Sequence, residues 1–67
     1  MNPAKSSNID ATGYIKDKAQ LFIRFKGGGV YRYDEVPLDV YERMLDAPSI
    51  GKFIHGSIKG KYKSEKL

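Results

Sequence analysis

The 67-residue chain has no cysteine, so neither a disulfide nor a thiolate metal site reinforces it. That absence also suits a reducing compartment. His55 is the sole histidine. With no thiolate and no second imidazole, a zinc site would have to rely on carboxylates. No apolar run approaches the ~20 residues of a membrane-spanning helix. The polar start Met1-Asn2-Pro3-Ala4-Lys5 lacks the apolar stretch of a secretory signal. The expected address is the cytoplasm, with no membrane partner.

Reactive constellations are missing as well. No serine lies in a Gly-x-Ser-x-Gly setting, and one histidine without a motif does not define a triad. Asp34 and Glu35 are neighbours on an expected strand, so they point to opposite faces and do not form a catalytic carboxylate pair. Gly27-Gly28-Gly29 joins two strands with no helix behind it, as a phosphate-binding loop requires. Lys59-Gly60-Lys61 matches no such loop either. The reading is a non-enzymatic binding protein, with no catalytic residue, no metal and no cofactor.

What remains is a small chain with enough apolar and aromatic side chains for one core. A domain this short buries only ~60% of its unfolded surface. Its charge is +4 and uneven. Lys5, Lys16, Lys18, Arg24, Lys26 and Arg32 dominate the first half. Asp34, Glu35, Asp39, Glu42 and Asp46 then surround Arg43. Lys52, Lys59, Lys61, Lys63 and Lys66 outweigh Glu65 at the end. A basic excess separated from an acidic segment favours a polyanionic partner.

Periodicity gives the fold. Residues 1–7 read as a flexible N-terminal lead-in, residues 8–58 as a single domain, and residues 59–67 as a basic C-terminal tail. From Asn8 the chain alternates, with Ile9, Ala11 and Gly13 on one side and Asp10, Thr12 and Tyr14 on the other. Ala19 to Lys26 is the clearest strand. Gly27 to Gly29 supply the positive φ that tight hairpins need, and Val30 to Glu35 returns. With those glycines as the loop, Phe25 pairs with Tyr31 and Arg24 with Arg32. Leu21, Ile23, Phe25, Tyr31 and Tyr33 then share one face. Pro37, Val40, Tyr41, Met44 and Leu45 recur at helical spacing. Ser49 caps a second helix bearing Ile50, Phe53 and Ile54. The expected fold is α+β: a three-stranded antiparallel β-meander packed on one face by two short helices.

Ser6-Ser7-Asn8-Ile9, Gly13-Tyr14, Leu21-Phe22-Ile23-Arg24-Phe25 and Gly29-Val30-Tyr31-Arg32-Tyr33 with Val36-Pro37 follow one another in an order that resembles the KTSC domain. Leu45-Asp46-Ala47-Pro48-Ser49-Ile50-Gly51-Lys52-Phe53 and Ile58-Lys59-Gly60-Lys61-Tyr62 extend the likeness from about Ser6 to Tyr62. The family takes its name from the C-terminus of some lysyl-tRNA synthetases and includes free-standing bacterial and phage proteins. The resemblance implies a small domain for which RNA binding has been proposed and to which no catalysis is attached. Without a synthetase body, no role in tRNA charging carries over.

In the expected register Arg24 and Arg32 lie directly opposed on the face away from the helices. Like charges so placed repel, and a phosphate between them would relieve the strain. Phe22 and Lys26 flank them, an aromatic among cations as in single-strand sites. Asp10, Thr12 or Asp34 offers a simpler neutralisation, and Phe22 has a second reading beneath the N-terminal segment. The candidate nucleic-acid-binding set is Phe22, Arg24, Lys26, Arg32, Lys59, Lys61, Tyr62 and Lys63, with RNA or single-stranded nucleic acid as partner. The alternative is a protein-interaction module that docks on a host protein, or on a copy of itself, through the acidic first helix and an open edge on the first strand.

Overall fold

The computed structural model describes residues 2–3 and 9–67. Strands β1 (Asn2–Pro3), β2 (Ile9–Ile15), β3 (Gln20–Phe25) and β4 (Gly29–Tyr33) are followed by helices α1 (Leu38–Asp46) and α2 (Ile50–Phe53), then by β5 (Ser64–Lys66). All pairings are antiparallel and the sheet order is β1-β2-β3-β4-β5. The α+β class and the two short helices agree with the expectation, but the sheet is wider than three strands. Each edge carries a short strand from a segment that the sequence presents as polar. Of the lead-in expected over residues 1–7, Asn2–Pro3 form β1 and the remainder lies outside the described residues. In the basic tail, Ser64–Lys66 pair with β4 as β5. Strands of two or three residues are too short to leave a hydrophobic period, and β5 is exposed along its length.

Alternation on β3 places Leu21 and Ile23 against the helices, both fully buried, with Ile9, Val36, Met44, Ile54 and Ile58. Tyr33 completes this core, and Phe25, Tyr31, Val40, Tyr41, Phe53 and Tyr62 pack around it. Leu45, expected in the buried stripe of α1, is instead 46% exposed. Ser49 caps α2 as its sequence position suggests: its Oγ accepts the backbone N–H of Lys52 at 3.3 Å. Gly56 does not end the helical path. The chain widens into a π-helical turn over Ile54–Ile58, closed by Lys59 N–H donating to the Ile54 carbonyl at 2.8 Å.

Two details of register correct the sequence reading. The hairpin loop is Lys26-Gly27-Gly28, with Phe25 opposite Gly29. Left-handed backbone falls at Gly27 (φ 72°) and Gly29 (φ 81°), which glycine adopts without the clash a β-carbon brings. The pairing therefore slides by two residues. A shift of two preserves the faces, so the tyrosines still point to the helices, but Arg24 now opposes Val30 and Arg32 opposes Phe22. On β2, Ile9 pairs with Phe25 and Ala11 with Arg24, so a β-bulge at Asp10 reverses the alternation beyond it. Thr12 and Tyr14 consequently join the helix side, and Ala11 and Gly13 the other.

Tyr14 uses that position fully. Its ring stacks on Tyr41 of α1 with centroids 4.7 Å apart, and its hydroxyl donates to the Val36 carbonyl at 2.6 Å. Burial, and then Asp39, raise the Tyr14 phenol above its ordinary value of 10.0; burial, and then Tyr31, do the same for Tyr33. The folded chain thus holds both protons more tightly than the unfolded chain. Their stabilisation is complete below about pH 10 and is lost as the pH rises through the higher folded-state values. Thermal melts across this alkaline range are expected to fall more steeply for the native chain than for Tyr14→Phe. At neutral pH Tyr14→Phe is expected to cost ~1 kcal/mol, the worth of one hydrogen bond. A variant as stable as the native chain would show that this bond contributes nothing.

Candidate nucleic-acid interface

The candidate residues fall into three groups. Phe22, Arg24 and Arg32 occupy the sheet face away from the helices. Lys26 is exposed in the hairpin loop, and Lys59 lies on the helix side, its Nζ 5.0 Å from the Phe25 ring centroid in a cation–π contact. Lys61, Tyr62 and Lys63 meet Arg32 at the far end of the sheet from the hairpin.

The opposed-arginine argument does not survive the register. Arg24 and Arg32 are diagonal neighbours, and each has its own carboxylate. Arg24 Nη1 lies 3.8 Å from Asp10 Oδ2, with both side chains about half exposed. Such a pair holds little energy. Arg32 is held more firmly: its Nε donates to Asp34 Oδ1 at 2.9 Å and its Nη2 to Glu65 Oε2 at 2.8 Å. The bond from Asp34, then its charge, and behind them Glu65, raise the guanidinium above its ordinary range against the opposing effect of burial. Arg32 ties β5 to β4. Of the neutralising partners weighed in the sequence, Asp10 and Asp34 take that role, and Thr12 is buried among the core residues.

The stronger feature is a groove of about 680 Å³ lined by Lys18, Gln20, Arg32, Asp34, Glu35 and the Lys61–Lys63 segment. Its size is within the ~300–1,000 Å³ of ligand clefts. Three separate parts of the chain supply its cations. Lys18 ends the 3₁₀ turn between β2 and β3, where Ala19 takes a left-handed φ of 51°. Arg32 comes from β4. Lys61 and Lys63 follow the π-helical turn, and their segment is fixed by Asp34 N–H donating to the Lys63 carbonyl at 2.8 Å. Tyr62 packs against the core, which sets the two lysines flanking it at the groove. Among the described residues every ion pair within 4.0 Å involves an arginine: Arg24, Arg32 or Arg43. Lys18, Lys61 and Lys63 therefore have no carboxylate within 4.0 Å among the described residues, although Asp34 and Glu35 line the same groove.

Lys18, Gln20 and Glu35 were not among the sequence candidates. Lys18 sits in a polar turn more than 40 positions from Lys61, and nothing in the local pattern announces the left-handed Ala19 that turns the chain. Among the described residues, no three His, Asp or Glu side chains gather to hold a metal ion, and no helix is long and apolar enough to cross a membrane.

A small antiparallel sheet with one helical layer and a lysine-lined end defines a compact α+β domain. The KTSC domain matches residues 5–62, and the chain belongs to that family. A protein of Tsukamurella paurometabola is 40% identical over 67 residues, covering 100% of both chains. The lysine–tRNA ligase of Trichormus variabilis is 49% identical over 63 residues, which are 94% of this chain but only 11% of the ligase. The crystal structure of a KTSC domain protein from Yersinia pestis superimposes with a TM-score of 0.96 at 38% identity, covering 98% of this chain and 93% of that one.

Proposed function

We propose that this domain acts by binding, not catalysis, in the cytoplasm, and that it holds RNA or single-stranded nucleic acid in the groove at the end of the sheet. The observation that carries this reading is the convergence of Lys18, Lys61 and Lys63, free of ion pairs, beside Arg32. Cations that line one groove can neutralise successive phosphates of a strand, which then releases its own condensed counterions. The occurrence of the same domain within lysine–tRNA ligases supports an RNA partner. Lys59, on the other side of the C-terminal segment, and Lys26, in the hairpin loop, are not part of this groove. Phe22 and Arg24 border it only through Arg32.

The test is retention of a labelled single-stranded RNA by the purified chain at low salt. Retention that weakens steeply as salt rises is expected; no retention at low salt would rule the reading out. A second reading, docking on a host protein, is favoured by Leu38 and Leu45, which are 37% and 46% exposed on the acidic α1. The open edge expected on the first strand is taken at Ala11 and Thr12 by β1.

A further inference from the structure

We infer that Glu35 makes the groove select ribose over deoxyribose, so that the ligand is RNA and single-stranded DNA binds poorly. This inference rests on the binding function proposed above and names its substrate class. The groove gathers four cationic side chains, yet two carboxylates line it as well. Asp34 is already engaged, accepting from Arg32 Nε at 2.9 Å and from Gln20 Nε2 at 3.5 Å. Glu35 forms no ion pair with the lysines around it. A carboxylate in that place repels phosphates but, being exposed and unpaired, is open to a ligand group that donates to it.

Its backbone adds a second reason. Glu35 has a φ of 56°, a left-handed conformation that penalises a residue with a β-carbon. The strain is locked in from both sides: Asp34 N–H donates to the Lys63 carbonyl and Val36 N–H to the Ala19 carbonyl, each at 2.8 Å. Strained residues that the surrounding structure over-determines gather at binding sites. These two bonds tie the backbone on either side of Glu35 to the segments that carry Lys63 and Lys18, so the exposed Glu35 side chain starts from a fixed place beside the cations.

A strand with its phosphates on Lys18, Lys61 and Lys63 would bring sugar hydroxyls to the same groove. The 2′-hydroxyl is the donor that distinguishes RNA from DNA, and an ionised carboxylate is an acceptor only. Ribose therefore gains a charge-assisted hydrogen bond, while deoxyribose meets the repulsion with nothing in return.

The experiment measures binding of single-stranded RNA, 2′-O-methyl RNA and DNA of one sequence, by fluorescence anisotropy at low salt. Native protein is expected to bind RNA about tenfold more tightly than the other two, as one charge-assisted bond would give. Glu35→Ala is expected to bind all three alike. Glu35→Gln, whose amide oxygen still accepts, is expected to bind all three more tightly and retain part of the preference. Equal affinity of native protein for RNA and 2′-O-methyl RNA would overturn the inference while leaving nucleic-acid binding intact. So would an undiminished preference in Glu35→Ala. Failure of all three strands to bind native protein would remove the binding function and this inference with it. The 2′-O-methyl comparison needs no variant, so it can overturn the inference even if Glu35→Ala does not fold, and Glu35→Gln then carries the assignment to this residue.

Discussion

Replacing Lys18, Lys61 and Lys63 together by alanine is expected to reduce single-stranded RNA binding by well over tenfold at low salt and to flatten its salt dependence. Each phosphate contact on a single strand contributes roughly 0.7 to the slope of log affinity against log salt, so losing three lowers that slope by about 2. The folded state should be unaffected, because all three side chains are exposed and none is in an ion pair. A control variant, Lys26→Ala with Lys52→Ala and Lys66→Ala, removes the same formal charge away from the groove. If RNA binding depends on overall charge alone, the two triple variants will lose equal affinity and equal slope, and the groove then has no special role. If the groove is the site, the control keeps most of its affinity. Titrations at several salt concentrations decide between these outcomes.

Ile23→Ala is expected to unfold the domain or bring it close to unfolding. Ile23 is fully buried in the middle of β3, between the flanking strands and beneath the helices. Truncating such a side chain costs ~2–5 kcal/mol through lost burial and the cavity left behind. A domain of this length has roughly 3–10 kcal/mol to lose, at about 0.05–0.15 kcal/mol per residue. Phe25→Ala is expected to cost less. Phe25 is half-buried at the hairpin end of the core, with one edge contact to Tyr31 and the Lys59 ammonium over its ring. Urea denaturation of both variants gives the order. An Ile23→Ala midpoint near that of the native chain, or below it by less than Phe25→Ala, would contradict this account of the core.

The core was legible in the sequence because it depends on period. Leu21, Ile23 and Tyr33 announce a strand face, and Val40, Tyr41 and Met44 a helix face, whatever the loop between them does. The register was legible only in part. A run of three glycines permits more than one loop, and the loop Lys26 to Gly28 keeps every side chain on its side while moving Arg32 from Arg24 to Phe22. Side-chain pattern cannot distinguish registers two residues apart. The bulge at Asp10 had no signal, since an inserted residue in a strand with Ala11 and Gly13 leaves the apolar pattern nearly unchanged. The groove was half legible. The tail lysines stood out as a cluster, but Lys18 and Glu35 reach them through left-handed backbone at Ala19 and Glu35, where neither residue type favours it.

Strand pairing between β4 and β5 spans the whole helical segment, with Tyr33 opposite Ser64, whereas β2 meets β3, and β3 meets β4, through a short turn. Closing a long loop costs more entropy than closing a short one and follows it in time. On that ground the meander and its helices are expected to form first and the C-terminal segment to join them last, an order that amide hydrogen exchange during refolding would check. Because that segment brings Lys61 and Lys63 to Arg32, the proposed binding groove would be the last feature a newly folded molecule completes, and the first that fraying from this end would take away.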